Sequence, residues 1–382
     1  MKPKKSNNFL RSQLSGIIAK HLLIAACLWA GSVHSQPGLQ PGFNRQEYAD
    51  VLWLGFYGIS DSLADQQTFS LEHGSYRRVF RTAEVGLYNR AELYVRHDSV
   101  VVLNLRGTVN KPESWLENFY SAMVPASGTM MLDANTRFDY TLATNPAAAV
   151  HVGWLVGLGF LAREFGPVLE QLMQRGLTQL LVVGHSQGGA LSFLATAYLH
   201  HKYSQQYPNL RIKNYASAAP KPGNQYFAYE FDFITRNGMS YRVVNALDWV
   251  PETAFSLQTL ADFNEVNPFT DAKAAIKKQK LGTRVALNYV YRKLRNSSQK
   301  AQRRFTRYLG NKLNPMVRKA LPNLQVPPYA PTNNYATAGA PVILMPNYAY
   351  KQQFVMEGNN VFVHHLYAPY LYLLNLHYPA TP

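Results

Sequence analysis

The segment Leu181–Ala190 reads LVVGHSQGGA, and its centre, from Gly184 to Gly188, has the pattern G-x-S-x-G. The apolar run LTQLLVVG before it predicts a short buried strand, and the run GGALSFLATAYLHHKY after it predicts a helix. Ser186 therefore falls on a sharp strand-to-helix turn, where glycines are needed because larger side chains would clash with the strand and the helix. This setting favours a nucleophilic serine, and the alternative is a glycine-rich turn that merely contains a serine.

The regions around this turn alternate between strands and helices. The run SVVVLNLRGT predicts a strand over Val100–Leu105 that is buried on both faces, as in a parallel sheet covered by helices. Further elements are predicted as follows: a helix after residue 44, two paired strands on either side of a turn at Gly86–Ala91, a helix from His151 to about Arg175, and strands at Lys213–Ala218 and Tyr241–Leu247. This order indicates a mostly parallel, doubly wound α/β sheet, whose functional sites lie at the carboxyl ends of the strands.

A nucleophilic serine needs a base, and the base needs an acid that orients it. Asp248 ends the run YRVVNALD, directly before a Trp-Val-Pro turn, which is where an acid that follows the serine in chain order is expected. An aspartate before a proline turn is also a common structural residue. Asp232 and Glu252 are the alternatives, the first in an irregular segment and the second beyond the turn.

Two adjacent histidines, His364 and His365, end the apolar run that begins at Val361 and are the candidates for the base. Neighbouring side chains on an extended or looping segment point in different directions, so only one of them can reach Ser186. A late histidine is more often a surface or hydrogen-bonding residue than a catalyst. Its position downstream of a serine turn favours the catalytic interpretation, and the residues alone leave both histidines open.

Acyl transfer also requires donors for the oxyanion, one just after the nucleophile and one from an earlier strand end. The backbone N–H of Gln187 supplies the first. Thr108, at the end of VVVLNLRGT, is placed for the second, and its hydroxyl could add a hydrogen bond. The alternative for this stretch is an ordinary strand-to-loop transition with a solvated Arg106.

The chain resembles the class 3 lipases, the fungal-type triacylglycerol lipase group, through several pieces in the family's order over Thr82–Leu371. These pieces are LRGT with SWLENF after it, VHVGW at 150–154, GHSQGGA, SAAPKPGNQYFA at 217–228, VVNALDWVP at 243–251 and the final HHLYAPYL. The resemblance implies an α/β-hydrolase fold and a lipid-ester substrate.

By position, the resemblance implies that Ser186 is the nucleophile and Asp248 the acid, with Thr108 and the Gln187 backbone in the oxyanion site. It implies that His365 is the base, because the family's histidine is often followed five residues later by a tyrosine, here Tyr370. The same machinery would serve a phospholipase A1, an acyltransferase or a small-ester esterase. A non-catalytic lipid- or surface-binding protein on a hydrolase fold is an alternative of another class. No CxxC or HExxH pattern is present, and we expect neither a metal nor a cofactor.

The chain departs from the family at two places. Many members have leucine where this chain has Gln187, a difference expected to matter little because the main chain donates the hydrogen bond. More important, Asp248 and His365 are farther apart than is usual, and the excess is an insert at about residues 256–340. The resemblance implies no role for this insert.

Most of the net charge of +16 comes from the insert and the N-terminus. The basic segment, residues 272–320, has fifteen Lys or Arg and no Asp or Glu, with apolar residues at helical spacing between them. Such basic amphipathic helices could dock on an anionic membrane surface. The alternative is a helical hairpin packed on the body with a solvated cationic face. Nucleic acid also fits the charge but not the secretion signal described next, so no nucleic acid is expected.

Residues 1–35 have the features of a secretory signal peptide, with a basic start, the apolar run HLLIAACLWAG and a small-residue cleavage site before Gln36. We therefore expect a secreted or periplasmic protein with one domain over residues 36–382. The chain's one cysteine, Cys27, lies in the apolar run, and its surroundings resemble a lipoprotein acylation box, which is the alternative. The run is too short to span a bilayer and no other apolar stretch is longer, so we expect no transmembrane helix.

Two segments near the expected site have less regular sequences. Residues 120–146 contain several apolar side chains, including Met123, Met130 and Leu132, and in the resembling family this position holds a mobile lid. A fixed loop packed on the core is the alternative. Residues 322–341, rich in Pro, Asn and Ala, are predicted to form a loop that returns the chain to its final element.

Overall fold

An eight-stranded sheet runs through the part of the chain that the computed structural model describes, residues 38–379. The predicted signal peptide, with Cys27, lies outside these residues. In chain order the sheet strands are β1 (Thr68–Ser70), β2 (Ser75–Arg81), β3 (Ala91–Arg96), β4 (Val101–Leu105), β9 (Gln179–His185), β10 (Arg211–Ser217), β12 (Ser240–Asn245) and β14 (Ala340–Leu344). The remaining strands form small side sheets and are β5 (Met123–Pro125), β6 (Ser127–Met131), β7 (Arg137–Thr141), β8 (Ala149–His151), β11 (Gly223–Asn224) and β13 (Tyr335–Ala336).

The strands of the main sheet lie in the order β1-β2-β3-β4-β9-β10-β12-β14. The five strands from β4 to β14 are parallel, and β1 to β4 are joined by antiparallel pairings. Leu103 of β4 pairs with Val182 of β9, which sets the ends of both strands side by side. The mostly parallel sheet predicted from the sequence is confirmed.

Helices cover both faces of the sheet. In chain order they are α1 (Arg45–Trp53), α2 (Pro112–Phe119), α3 (Val152–Gln174), α4 (Gln187–Tyr203), α5 (Gln225–Ile234), α6 (Ala272–Lys277), α7 (Leu281–Thr306), α8 (Asn314–Ala320), α9 (Tyr348–Gln353) and α10 (Tyr367–His377). Alternate side chains of β9 enter two different core clusters, Leu180 and Val182 one and Leu181 and Val183 the other. The prediction of strands buried on both faces is therefore confirmed, and the fold is that of an α/β-hydrolase.

The segment 120–146 is a fixed part of the core in this structure. It forms β5 and the β6–β7 hairpin, and its apolar side chains Met123, Met130 and Leu132 are at most 2% exposed. These side chains pack inside the protein rather than over the cavity described below, an arrangement that the fixed-loop alternative expects.

The predicted loop at 322–341 ends in a strand that sequence analysis missed. Strand β14 begins at Ala340 and pairs in parallel with β12 at the edge of the main sheet. Its sequence, APVIL, begins with a proline-containing pair that is typical of a loop. Proline is tolerated there because an edge strand leaves one row of N–H groups without a partner in the sheet.

One helix in the described range, α3, is long and apolar enough to cross a membrane by length and composition alone. Most of its apolar residues are buried against the sheet and its neighbouring helices, as in the core helix of a globular domain. The basic segment forms α6, α7, a π-helical turn at Arg307–Asn311 and α8. Its C-terminal part, with Leu313, Val317 and Leu321, packs on the core, and Ala272 and Ile276 of α6 are also buried.

Candidate active site

Ser186 occupies a strained backbone position between β9 and α4. Its φ of 62° and ψ of −129° lie outside the regions that serine usually adopts. The backbone N–H of Ser186 donates to the Ser217 carbonyl oxygen at 2.9 Å, which fixes the turn to the neighbouring strand β10. A β-carbon at Gly188 would collide with the Leu105 carbonyl oxygen, and one at Gly184 would collide with the Gly188 backbone. The glycine spacing is therefore a steric requirement of this turn.

His365 and Asp248, which are 117 residues apart in the chain, meet in the structure. The Nδ1 atom of His365 lies 2.7 Å from Oδ2 of Asp248. The same carboxylate oxygen accepts a hydrogen bond from the Tyr370 hydroxyl at 2.8 Å, and Oδ1 accepts from the Val250 N–H at 3.0 Å. Asp248 is 4% exposed, so these donors replace the water that a carboxylate would otherwise bind. The acid is held in one orientation against one ring nitrogen of His365.

Ser186 and His365 line the same cavity, which has a volume of about 700 Å³. Among residues 38–379 the Ser186 hydroxyl has no hydrogen-bond partner, so the structure brings serine and histidine to one cavity without joining them. The cavity walls are largely apolar, and the large side chains that line them are Phe56, Trp115, Phe119, Trp154, Trp249, Phe255 and Phe362. An apolar cavity of this size suits an acyl chain better than a polar substrate.

The rival candidates for base and acid lie elsewhere. The His364 ring contacts the Tyr350 hydroxyl at 2.9 Å and does not line the cavity. Asp232 accepts a hydrogen bond from the Gly339 N–H, and Glu252 is an exposed residue of the turn after β12. The structure therefore pairs His365 with Asp248 and places His365 in the cavity that Ser186 lines, and these three residues are the set that the family resemblance implied.

His185, the residue before Ser186, supports the candidate base and was not singled out by sequence analysis. Its Nε2 lies 2.8 Å from the His365 carbonyl oxygen, and its Nδ1 lies 3.0 Å from the Ser217 hydroxyl. Burial holds the pKa of His185 well below its usual value, so the ring is neutral. A neutral ring has one N–H, which must donate to the carbonyl, while Nδ1 accepts from Ser217. His185 thus fixes the backbone of His365.

Thr108 and Gln187 line the same cavity as Ser186, and no hydrogen bond from either backbone N–H to another described residue is found. The Thr108 hydroxyl donates to the Gln187 side-chain oxygen at 2.7 Å and accepts from the Asn118 amide at 2.9 Å. Because a hydroxyl has a single proton, Thr108 can offer its backbone N–H to an oxyanion while its hydroxyl is held. The hydroxyl proton was expected to give the oxyanion an extra hydrogen bond. In this structure it is donated to Gln187 instead.

The Gln187 side chain has a larger part in the site than expected. It is 2% exposed, and its Nε2 donates to Oε1 of Glu117 at 3.0 Å. The other carboxyl oxygen of Glu117 accepts from the Asn89 amide at 2.5 Å. The expectation that glutamine here matters little is wrong for the side chain, because it links the candidate oxyanion threonine to a buried carboxyl. The signal was present in SWLENF, where an acid occurs in a helix beside the site.

Glu117 is fully buried, and no cation among the described residues acts on its carboxyl. Burial raises the pKa of its carboxyl from 4.5 to about 8, although the hydrogen bonds from Asn89 and Gln187 oppose the shift. Between these two pH values the folded protein keeps a proton that the unfolded chain releases. The folded state is therefore increasingly disfavoured as the pH rises through this range.

We expect Glu117→Gln to remove this pH dependence, because glutamine is an uncharged isostere of the protonated acid. The free energy of unfolding of the wild type, relative to the variant, should fall by about 1.4 kcal/mol per pH unit between about pH 4.5 and pH 8. Denaturant unfolding of both proteins across this range measures the difference. A difference that stays constant with pH would contradict the assignment of a protonated Glu117.

The described residues hold no cluster of three or more His, Cys, Asp or Glu side chains suited to a metal ion.

Comparison with known proteins gives a family. Residues 102–258 match the family model described as Lipase (class 3). This match contains Thr108, Ser186 and Asp248 but ends before His365. Lipases from Rhizopus niveus and Rhizopus oryzae are each 34% identical to this chain over 109 residues, which are 27% of this chain. The chain spans 26% of the length of these curated relatives.

Solved structures of lipases are also similar in part. Lip2 lipase from Yarrowia lipolytica is 19% identical with a TM-score of 0.43, and 55% of this chain and 73% of that chain are covered. For a triacylglycerol lipase from Penicillium expansum the identity is 16%, the TM-score is 0.42, and the coverage is 56% and 75%. Both TM-scores are low, and the assignment to a family depends on the sequence match instead. Through the segment 102–258, the chain is similar to the class 3 lipase family.

Proposed function

We propose that this protein is a serine carboxylic ester hydrolase that acts on lipid esters. The observation that carries the proposal is the pairing of His365 with Asp248 at 2.7 Å beside a cavity that Ser186 also lines. The strained turn at Ser186 supports a functional hydroxyl, because such backbone conformations cost free energy and persist where they serve a site.

In the proposed mechanism the Ser186 hydroxyl attacks the acyl carbonyl and His365 takes its proton. Asp248 orients the imidazole and stabilises its positive charge. The Thr108 and Gln187 backbone N–H groups donate to the oxyanion that forms. His365 then gives the proton to the departing alcohol, which leaves an acyl-enzyme. A water molecule, activated by the same histidine, attacks the acyl group and releases the acid.

The apolar walls of the cavity support a long acyl group as part of the substrate, and an acylglycerol is the substrate class we favour. A phospholipase A1 or an acyltransferase would use the same residues on membrane lipids. A non-catalytic lipid- or surface-binding protein is less well supported, because binding alone requires neither the His365–Asp248 hydrogen bond nor a strained serine.

Two tests address the proposal. A fluorophosphonate probe should label the native protein once, on Ser186, as located by mass spectrometry of its peptides. Labelling at no residue, or on a serine outside the cavity, would overturn the mechanism. Profiles of the products from mixed lipids should then show free fatty acid from acylglycerols, whereas lysophospholipid or a newly acylated alcohol would instead identify the phospholipase or the acyltransferase.

We further propose that residues 1–35 are a signal peptide and that residues 36–382 form one domain, secreted or periplasmic, with the insert at about 256–340. The basic start and short apolar run of the N-terminus support this proposal. N-terminal analysis of the mature protein tests it, since cleavage should leave Gln36 first. A lipid-modified Cys27 would show the lipoprotein alternative instead.

A further inference from the structure

The helix α7 exposes its apolar stripe to solvent. Leu287, Val290 and Leu294 are spaced by three and four residues and so lie on one side of the helix. Their exposed fractions are 42%, 52% and 57%, and none of the three packs in a described core cluster. An amphipathic helix of a globular domain normally turns this side toward the core.

The half-buried positions of α7 are mostly polar. Arg284, Asn288, Arg295 and Ser298 are partly covered, whereas the apolar stripe beside them is open. Only the C-terminal end of the helix is well covered, where Gln302 is buried. The alternative of a helical hairpin packed through its apolar side therefore describes α8 but not the first four turns of α7.

The charge on this surface has one sign. Within the basic segment, exposed bases occur on the same helix as the apolar stripe, and no acid occurs from residue 272 to 320. The exposed bases of α7 are Arg292, Lys293, Lys300, Arg303 and Arg304. Such a surface is complementary to one that is both anionic and apolar beneath its charges. An anionic lipid bilayer has this character, whereas nucleic acid offers phosphates but no apolar layer for the stripe.

The C-terminal end of α7 reaches the candidate active site. The Phe305 ring stacks on Phe255, which lines the cavity and is 72% exposed. The next turn places Leu309 on the cavity wall, and its carbonyl accepts from the Ala122 N–H at 3.3 Å. Two further residues of the cavity wall, Phe119 and Leu366, are 60% and 44% exposed. The exposed helix therefore adjoins an apolar cavity rim.

We propose that α7 and this apolar rim form a docking surface for an anionic lipid bilayer. Leu287, Val290 and Leu294 enter the interface between headgroups and acyl chains, and the exposed bases of the same helix contact the lipid phosphates. Docking brings the cavity beside lipid, so a lipid ester can reach Ser186 without crossing water. This consequence rests on the proposed function, but the binding itself does not.

Co-sedimentation of the full chain with vesicles tests the surface, using phosphatidylcholine alone and phosphatidylcholine mixed with phosphatidylglycerol. Binding of the wild type should be strong only with the anionic vesicles and should weaken as salt is added. Exchanging Arg292, Lys293 and Lys300 for glutamine should lower the partition coefficient by roughly 100-fold, and exchanging Leu287, Val290 and Leu294 for glutamine by about tenfold or more. The control exchanges Arg77, Arg175 and Arg211, exposed bases outside the segment, and should bind nearly as the wild type does.

Several results would overturn the inference. These are absent binding to anionic vesicles, equal binding to both kinds of vesicle, equal losses in the base variant and its control, and full binding by the apolar variant. Binding to a nucleic-acid duplex in place of vesicles would also overturn it. Folding is checked by circular dichroism, and hydrolysis of a soluble short-chain ester should match the wild type in both α7 variants.

The variant Ser186→Ala separates this inference from the proposed function. It should bind anionic vesicles as the wild type does while hydrolysing no ester. A wild type that binds vesicles but hydrolyses nothing would overturn the function and leave the docking surface in place. A wild type that hydrolyses soluble ester without binding anionic vesicles would overturn the docking surface and leave the proposed function in place.

Discussion

Replacement of Ser186 by alanine should lower kcat on a soluble ester by roughly 10⁴- to 10⁶-fold, the loss typical when the nucleophile of a serine hydrolase is removed. Alanine removes only the hydroxyl oxygen, so the backbone of the turn and the cavity walls are kept. KM should change little, because the hydroxyl contributes to the transition state rather than to binding of the acyl chain. Initial rates over a range of ester concentrations measure both constants.

The matched control for this variant is Ser121→Ala. Ser121 also lines the cavity and is buried, but no histidine within residues 38–379 is hydrogen-bonded to its side chain. Its replacement should leave kcat within a few fold of the wild type. Equal losses in the two variants would indicate damage to the cavity in place of a missing nucleophile. Unchanged activity in Ser186→Ala would show that another group carries the reaction.

The adjacent histidines give the second large effect. His365→Ala should lower kcat by roughly 10⁴- to 10⁶-fold, because the serine then has no base and Asp248 has no imidazolium to stabilise. His364→Ala should change kcat by less than about fivefold, since its ring lies outside the cavity. It should instead cost about 1 kcal/mol of stability through the lost contact with Tyr350.

His365→Ala should therefore show the large loss of activity. His364→Ala should keep most of the activity and show a loss of stability, which thermal unfolding measures. Both exchanges remove the same atoms from neighbouring residues, so each is the control for the other. The hydrogen bond from Asn245 to the His364 carbonyl is retained in both, because it involves the backbone. A large loss of activity in His364→Ala with a stable fold, beside an active His365→Ala, would reverse the assignment.

The local sequence sufficed for the elements around the candidate nucleophile. The apolar run of β9 and the glycines after it predicted a buried strand, a turn and a helix, and the structure has them at Gln179–His185 and Gln187–Tyr203. These elements follow from burial on both faces and from sterics at the turn, which act over a few residues. The resemblance to class 3 lipases, now confirmed by the match over residues 102–258, added the order of the other candidates.

The sequence was less informative where contacts join distant segments. For Gln187 the sequence predicts a role for the backbone alone, and nothing near it in the chain shows that Glu117 lies 3.0 Å from its amide. The sequence predicts a loop up to residue 341, although β14 begins at Ala340, because the apolar character of this strand becomes meaningful only beside β12. The sequence leaves a lid and a fixed loop open near Met130, and the buried hairpin found there depends on which core it meets.

The sequence by itself determined the α/β alternation, the strained turn at Ser186 and the strongly basic insert, because these depend on residue type and short-range spacing. Tertiary structure decided between His364 and His365, since two adjacent side chains differ only in what the fold brings to each. It also decided which side of α7 faces solvent. Helical spacing defines an apolar stripe, but whether that stripe is buried depends on the neighbouring elements that pack against it.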